Sequence, residues 1–414
     1  MKILWLSHLI PYPPKGGVLQ RSYNLIRELS KYHEVSLLAF NQPALLGSMF
    51  SSVSAGKKEA KRHLLEFCND VEFVDIPSEK EPLGKYILAL KSLFTRYPYT
   101  VNWLASKEMS FLIEKILGNN QFDLIHFDTI SLAIYLPHFG DTPKVLDHHN
   151  IESHMMLRRA EQEQNLLKKF YYYQEGKKLS SYEKTICKDF DLHITCSELD
   201  SERLRSIDSG LNIDEIPNGV DVEYFIPNSE NEQGARLVFA GGLNWYPNQD
   251  AMLFFAREIW PILKRRCPEI EMDLIGKNPP KELCDLGERD QNYHVHGFVD
   301  DVRGYISRAS VYVCPIRDGG GTKLKLLDAF SMGKAVVAHP AACEGIDITE
   351  DENVFLAENA NAFSDKIIDL LGDRNKRRRV GLSARMLVEK SYSFVRIGQK
   401  LSSNYELLVK FSSN

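Results

Sequence analysis

Apolar and polar positions follow two rhythms along this chain, and the changes between them predict its elements. "KILWLSHL" is a continuous apolar run, the pattern of a strand buried on both faces. "IPYPPKGG" supplies turn chemistry. Val18, Ser22, Leu25, Ile26 and Leu29 then recur at helical spacing and predict a helix over 17–32. "EVSLLAF" reads as a second strand, so the chain opens β-α-β with a glycine-rich turn at the helix start. Residues 55–120 read as helical and mixed in charge. "FDLIHF" and "PKVLDHHN" read as two further buried parallel strands. A long polar helix is expected over 153–188, then the strand "DLHITCS" and the short helix "ELDSERLRS" with Ser197 as its N-cap.

The rhythm loosens over 210–235, where Pro, Gly, Asn and Asp gather as in an inter-domain linker. It then restarts. "ARLVFAGG", "EMDLIG", "VYVCP", "KAVVAHP" and "NVFLAE" read as strands, and 248–266, 322–332, 360–372 and 375–390 as helices. Repeated β-α units imply an α/β protein with doubly wound parallel sheets. Two such series imply two Rossmann-like domains facing each other across a cleft. The expected divisions are 1–212, 213–390 and a C-terminal helix over 391–414 that crosses back to the first domain.

Length agrees with two domains, since 414 residues exceed one ordinary core. A net charge of -5 with acids and bases mixed carries no basic face for nucleic acid. The seven cysteines form no C-x-x-C pair, which suits a reducing cytoplasm and indicates neither a zinc site nor a redox dithiol. The apolar opening is broken by Ser7 and His8 and lacks a small-residue cleavage site, so it reads as a strand and not a signal peptide. No apolar run approaches the ~18 residues of a membrane span.

One stretch carries candidate chemistry. In "DGGGTKLKLLDAFSMGKAVV", residues 318–337, a strand is followed by a glycine loop and a helix that ends at Gly333. The free amides and dipole of a helix N-terminus suit an anion, and glycines allow close approach. Lys323 adds a full charge where a helix does not favour one, which points to an anion between them. Asp328, about one and a half turns on, is placed to accept hydrogen bonds from a ribose diol. The alternative is a tight turn before a core helix, capped by Thr322 and carrying a solvated lysine.

That stretch resembles the C-domain signature of family 4 glycosyltransferases, which have the GT-B fold. The resemblance runs over most of the chain through "PPKGGVLQRSYNLIREL", "LDHHNIES", "HITCSELD", "IPNGVDVEYF", "FAGGLNWYPNQDA" and "HGFVDDV". The nearest patterns are bacterial sugar transferases of exopolysaccharide assembly. The family motif pairs two acids. The resemblance assigns the second to Asp328, for the ribose, while the first falls on Gly320, which leaves the donor-sugar contact unfilled. It gives the diphosphate to the loop Gly319, Gly320 and Gly321 and to the backbone of Thr322, Lys323 and Leu324. The Arg and Lys that the family often carries after the first C-domain strand are missing from "GGLNWYPNQD", which shifts the cationic role to Lys323, with Arg317 or Lys325 as auxiliaries. Lys325 reads equally as a solvent-facing helix residue.

By the same resemblance, Gly16 and Gly17 form the N-domain loop near the donor phosphate and sugar. His149 stands near the transferred sugar, with His148, Asn150 and Glu152 as weaker companions. Asn244, beside Trp245, lines the donor pocket, and Gly297, Phe298 and Val299 read the nucleobase through their backbone. The implied activity is retaining transfer of a hexose from a UDP- or GDP-sugar to a glycan or lipid-linked acceptor in cell-surface polysaccharide synthesis. No cofactor and no metal are expected, since the adjacent pair Asp300–Asp301 is not a spaced ligand set. The alternatives are a degenerate transferase that binds without turnover, suggested by Gly320, or a sugar-nucleotide epimerase. Residues 54–62 and 85–98 combine cations with apolar side chains. They read either as a peripheral contact with the inner membrane or, the preferred reading, as amphipathic helices packed on the domain.

Overall fold

The computed structural model describes residues 1–228, 231–318 and 322–412. It divides into two units, Met1–Pro217 with Ile397–Asn414, and Asn218–Arg396. The sequence placed the boundary near 212 and the return of the chain near 391.

The first unit is built on a seven-stranded sheet among the described residues. In chain order its strands are β1 (Lys2–Ser7), β2 (Glu34–Asn41), β3 (Asp70–Asp75), β4 (Leu124–Phe127), β5 (Lys144–His148), β6 (Leu192–Thr195) and β7 (Ile213–Glu215). Their order in space is β3-β2-β1-β4-β5-β6-β7, and every neighbouring pair is parallel. The central strands are buried on both faces, which is why they read as unbroken apolar runs. The second unit repeats the plan with β8 (Arg236–Ala240), β9 (Glu271–Ile275), β10 (Tyr293–Gly297), β11 (Val311–Cys314), β12 (Ala335–Ala338) and β13 (Phe355–Leu356). Here the order is β10-β9-β8-β11-β12-β13, again all parallel. The α/β class with two doubly wound parallel sheets expected from sequence is the one observed.

Three strands escaped the sequence reading, and all three are edge strands. β3, β7 and β10 each carry half-covered positions in place of an apolar run, because one flank and part of each face stay open. β7 lies inside the stretch read as linker.

Two helices also differ from expectation. The helix foreseen over 153–188 is two, Glu152–Gln162 and Leu166–Ile186, packed on one another. Asn165 makes the break, since its side chain accepts from the amides of Leu167 and Lys168 and starts the second helix afresh. The helix foreseen over 322–332 runs Leu324–Ser331 with Lys323, not Thr322, at the N-cap, so Thr322 has no capping role.

The last helix, Phe394–Ser412, packs from Ile397 onward into the first unit. Tyr405 is fully buried and shares a 2.6 Å hydrogen bond with His126 Nδ1, while Ser402 meets His33 Nε2 at 2.7 Å. The helix Val53–Leu64 buries Ala60 and Leu64 and pairs Lys57 with Asp75 and Lys61 with Glu72, so it is the packed amphipathic helix expected of residues 54–62. The helix Gly84–Leu93 packs more shallowly: Ser92 is buried, Leu88, Ala89 and Leu93 are half-buried, and its other apolar side chains are exposed. No helix among the described residues is long and apolar enough to cross a membrane.

Candidate active site

Open parallel sheets bind ligands outside the carboxyl ends of their strands, where the strand order reverses. In the first unit that point lies between β1 and β4, and in the second between β8 and β11. Titratable groups concentrate at both.

In the first unit, three strands each end on a polar residue of one cluster. Ser7 closes β1 and precedes His8; Asp128 follows β4; His149 follows β5. His149 Nε2 meets Asp128 Oδ1 at 2.9 Å, and Ser7 and Ser22 donate to Asp128 Oδ2 at 2.8 and 2.9 Å. His8 Nδ1 stands 3.8 Å from the same carboxylate. Burial alone would raise the Asp128 carboxyl, but His149 beside it and its hydrogen bond hold it well below the usual carboxylate range. Burial opposes a charge on His149, yet Asp128 outweighs it and leaves that ring above the ordinary imidazole value. Burial holds His8 down to about 4. The outcome is an ion pair of Asp128 and His149 with a neutral His8 beside it.

Neighbouring groups brace the cluster. Arg21 grips buried Asp147 through two 3.1 Å bonds and also donates to the carbonyls of Ile216 and Pro217. Glu152, at the start of the next helix, accepts a 2.6 Å bond from Thr129. Of the companions expected for His149, Glu152 lies within this network. His148 turns away to meet His193 Nδ1 at 3.1 Å, and Asn150 is exposed. Gly16 adopts φ 99° at the N-cap of the helix Gly17–Leu29, a conformation that suits glycine, and a Cβ there would meet nothing. Gly16 and Gly17 thus form an open backbone turn, as a ligand-facing loop requires.

In the second unit, the loops after β8 and β11 flank the reversal point. Gly319, Gly320 and Gly321 lie outside the described residues. Beyond them Lys323 is buried at the N-cap of Leu324–Ser331, and Leu324 opens that helix. Thr322 Oγ1 is buried without a partner among the described residues. Lys325 is not solvent-facing. Its Nζ bonds Asn248 Oδ1 and lies 5.2 Å from the Phe239 ring and 5.7 Å from that of Trp245. A Cβ on Gly241 would come within 2.8 Å of this ammonium, so glycine leaves it room. Burial lowers Lys325 to about 8. Asp328 is three residues on, one turn along the same face. Its Oδ1 is buried without a partner among the described residues, and burial pushes its carboxyl up to about 7 against the pull of Lys325.

The other expected donor residues are more dispersed. Asn244 and Trp245 are exposed on the loop after β8. Gly297 takes φ 66° at the end of β10, Phe298 is exposed, and Val299 packs on the core. Arg317 pairs with Asp250 at 2.9 Å and lies over the face of Phe254.

The two halves of this architecture also match known families. The profile for Glycosyltransferase Family 4 covers residues 15–224, just over half of the chain. The chain belongs to glycosyltransferase family 4. A second profile, Glycosyl transferases group 1, covers residues 234–373 of the same family 4 transferase. No curated protein matches its sequence. Among solved structures it is similar to sucrose-phosphate synthase from Thermosynechococcus elongatus, at 15% identity and TM-score 0.70 over 100% of both chains. HepE from Anabaena, solved with UDP, is similar at 16% identity and TM-score 0.65 over 98% of this chain and 100% of that one. TarM is similar at 12% identity and TM-score 0.66 over 98% of each chain. At such identities the likeness is one of fold.

Sequence reasoning found one member of the first cluster, His149, and missed Asp128, His8, Ser7, Ser22 and the Arg21–Asp147 clamp. The signal for Asp128 was present, since it follows a parallel strand directly, as His149 does. Linear spacing also suggested no metal ligands. In space His8, Asp128 and His149 bring one ligand atom each within 4.8 Å of one another.

Proposed function

We propose that this family 4 transferase moves a hexose from a UDP- or GDP-sugar, with retention, to a glycan or lipid-linked acceptor of cell-surface polysaccharide on the cytoplasmic side. The single observation that carries the donor reading is Asp328, whose buried Oδ1 has no partner among the described residues while two lysines stand on the same short stretch. A bound ribose supplies the missing partner, because its hydroxyls donate into a carboxylate. A diphosphate supplies an anion suited to Lys323, Lys325 and the amides of the helix start. UDP is the favoured nucleotide because HepE, of the same fold, is solved with UDP and with UDP-glucose.

Bond cleavage at the anomeric carbon places negative charge on the leaving diphosphate. Lys323 and Lys325 stabilise that charge without a metal ion, and the acceptor hydroxyl passes its proton to the departing phosphate oxygen. His149, oriented and charged by Asp128, is poised to donate to a hydroxyl of a substrate bound by the first unit. Asp128 acts through His149 as a positioning residue.

The test is release of UDP or GDP from sugar donors, with and without EDTA, followed by NMR of the anomeric configuration of any product. Release that survives EDTA and gives a retained anomer supports the proposal. Tight donor binding with no release in the presence of cell-envelope glycan acceptors assigns the chain to the non-catalytic alternative suggested by Gly320.

A further inference from the structure

The helix Gly84–Leu93 leaves a stripe of large apolar side chains exposed. Leu83, Tyr86, Ile87, Leu90 and Phe94 recur at three- and four-residue spacing, which places them on one stripe, and all five are exposed, Phe94 by 86%. The side it turns inward carries half-buried Leu88, Ala89 and Leu93 with buried Ser92.

A second exposed set adjoins it. The helix Leu166–Ile186 begins with Leu166 and Leu167, exposed by 79% and 83%, then Phe170 and Tyr173. The two helices are joined where Gln174 Nε2 and Lys178 Nζ donate to the carbonyl of Leu93. Phe170 stands one turn before Gln174. Such a grouping of large exposed apolar side chains marks an interaction surface.

Charge identifies the partner. From Gly84 to Tyr97 the chain carries Lys85, Lys91 and Arg96 and no acid, and from Asn165 to Gln174 it carries Lys168 and Lys169 and no acid. All five cations are exposed. Apolar side chains interspersed with five exposed cations and with tyrosines, the acids Glu81 and Glu163 standing just outside these stretches, match the boundary of a bilayer with anionic headgroups. A second copy of the chain fits less well, because a two-fold interface would set these cations against themselves.

We propose that this face, formed by Gly84–Leu93 and the first turns of Leu166–Ile186, docks the protein on an anionic membrane. The inference stands on the exposed face and is independent of the donor reading, although it would bring the first unit to a lipid-linked acceptor.

The experiment is co-sedimentation of the full chain, without nucleotide, with phosphatidylcholine vesicles that contain or lack phosphatidylglycerol. The parent is expected to pellet with the anionic vesicles, to be partly released by salt, and to stay in solution with the neutral ones. Leu90→Glu with Phe94→Glu, and separately Lys85→Glu with Lys91→Glu, are expected to weaken binding about tenfold or more, from lost insertion and lost charge attraction respectively. The second pair leaves the apolar stripe intact, so the proposal can fail even where the first pair misfolds. UDP binding measured apart from vesicles should be unchanged in both, which separates this outcome from failure of the donor reading. The idea is overturned if the parent stays in solution with anionic vesicles or if folded variants bind them as the parent does. It is overturned equally if light scattering shows a parent dimer that the variants abolish, which would assign the face to a second copy.

Discussion

Asp328 shows how a single carboxyl reports both stability and binding. Its folded value of about 7 lies above its ordinary 3.8 because burial disfavours the charge. Between those values the folded protein keeps a proton that the unfolded chain has released, so this group makes the ligand-free protein less stable as pH rises through the window. Asp328→Asn should remove that dependence: its melting temperature should exceed the parent's at pH 8 and the gap should close toward pH 4, read by calorimetric scans. Binding of a UDP-sugar should tighten over the same window, since the ionised carboxylate accepts ribose hydroxyls. At the other cluster, Asp128→Asn should drop the His149 pKa below the ordinary imidazole value, read by NMR titration of the ring. It should lower kcat about a hundredfold, the low end of the usual worth of a positioned acid or base group, while UDP affinity stays unchanged. Lys323 and Asp328 were legible in the sequence because they stand in one short stretch. Asp128 was not, because its partners Ser7, Ser22 and His149 are distant in the chain and only the parallel sheet gathers them.

The elements were legible in proportion to their burial. Central strands such as β1 and β11 are covered on both faces and announce themselves as apolar runs. The edge strands β3, β7 and β10 have fewer covered positions, and their periodicity is correspondingly weak. Close contacts between strand ends leave no sequence signal beyond a glycine. After β9, a Cβ on Gly276 would lie 2.1 Å from the carbonyl oxygen of Gly241, which follows β8. The contact is backbone against backbone, so a side chain must push apart the loops beside Lys325. Gly276→Ala should therefore cost about 1–3 kcal/mol of stability, the usual range for overpacking, and also weaken UDP binding. Urea unfolding read alongside calorimetry would check both.

The whole molecule is two parallel-sheet units, and the final helix belongs mostly to the first. Tyr405 on that helix is fully buried and bonded to His126, so Tyr405→Ala should cost the first unit about 3–5 kcal/mol, as large aromatic deletions do. Calorimetry should show the first unit's transition fall while the UDP-dependent transition of the second holds. The central claim is that the stretch from Thr322 to Asp328 cradles a nucleoside diphosphate sugar. Titration calorimetry of UDP-glucose into the parent, Asp328→Ala and Lys325→Ala tests it most directly. The account predicts micromolar binding by the parent, about −8 kcal/mol, and a loss of about tenfold or more in each variant. Absence of binding to any UDP- or GDP-sugar, or variants that bind as the parent does, would contradict it and leave that stretch a turn and a core helix.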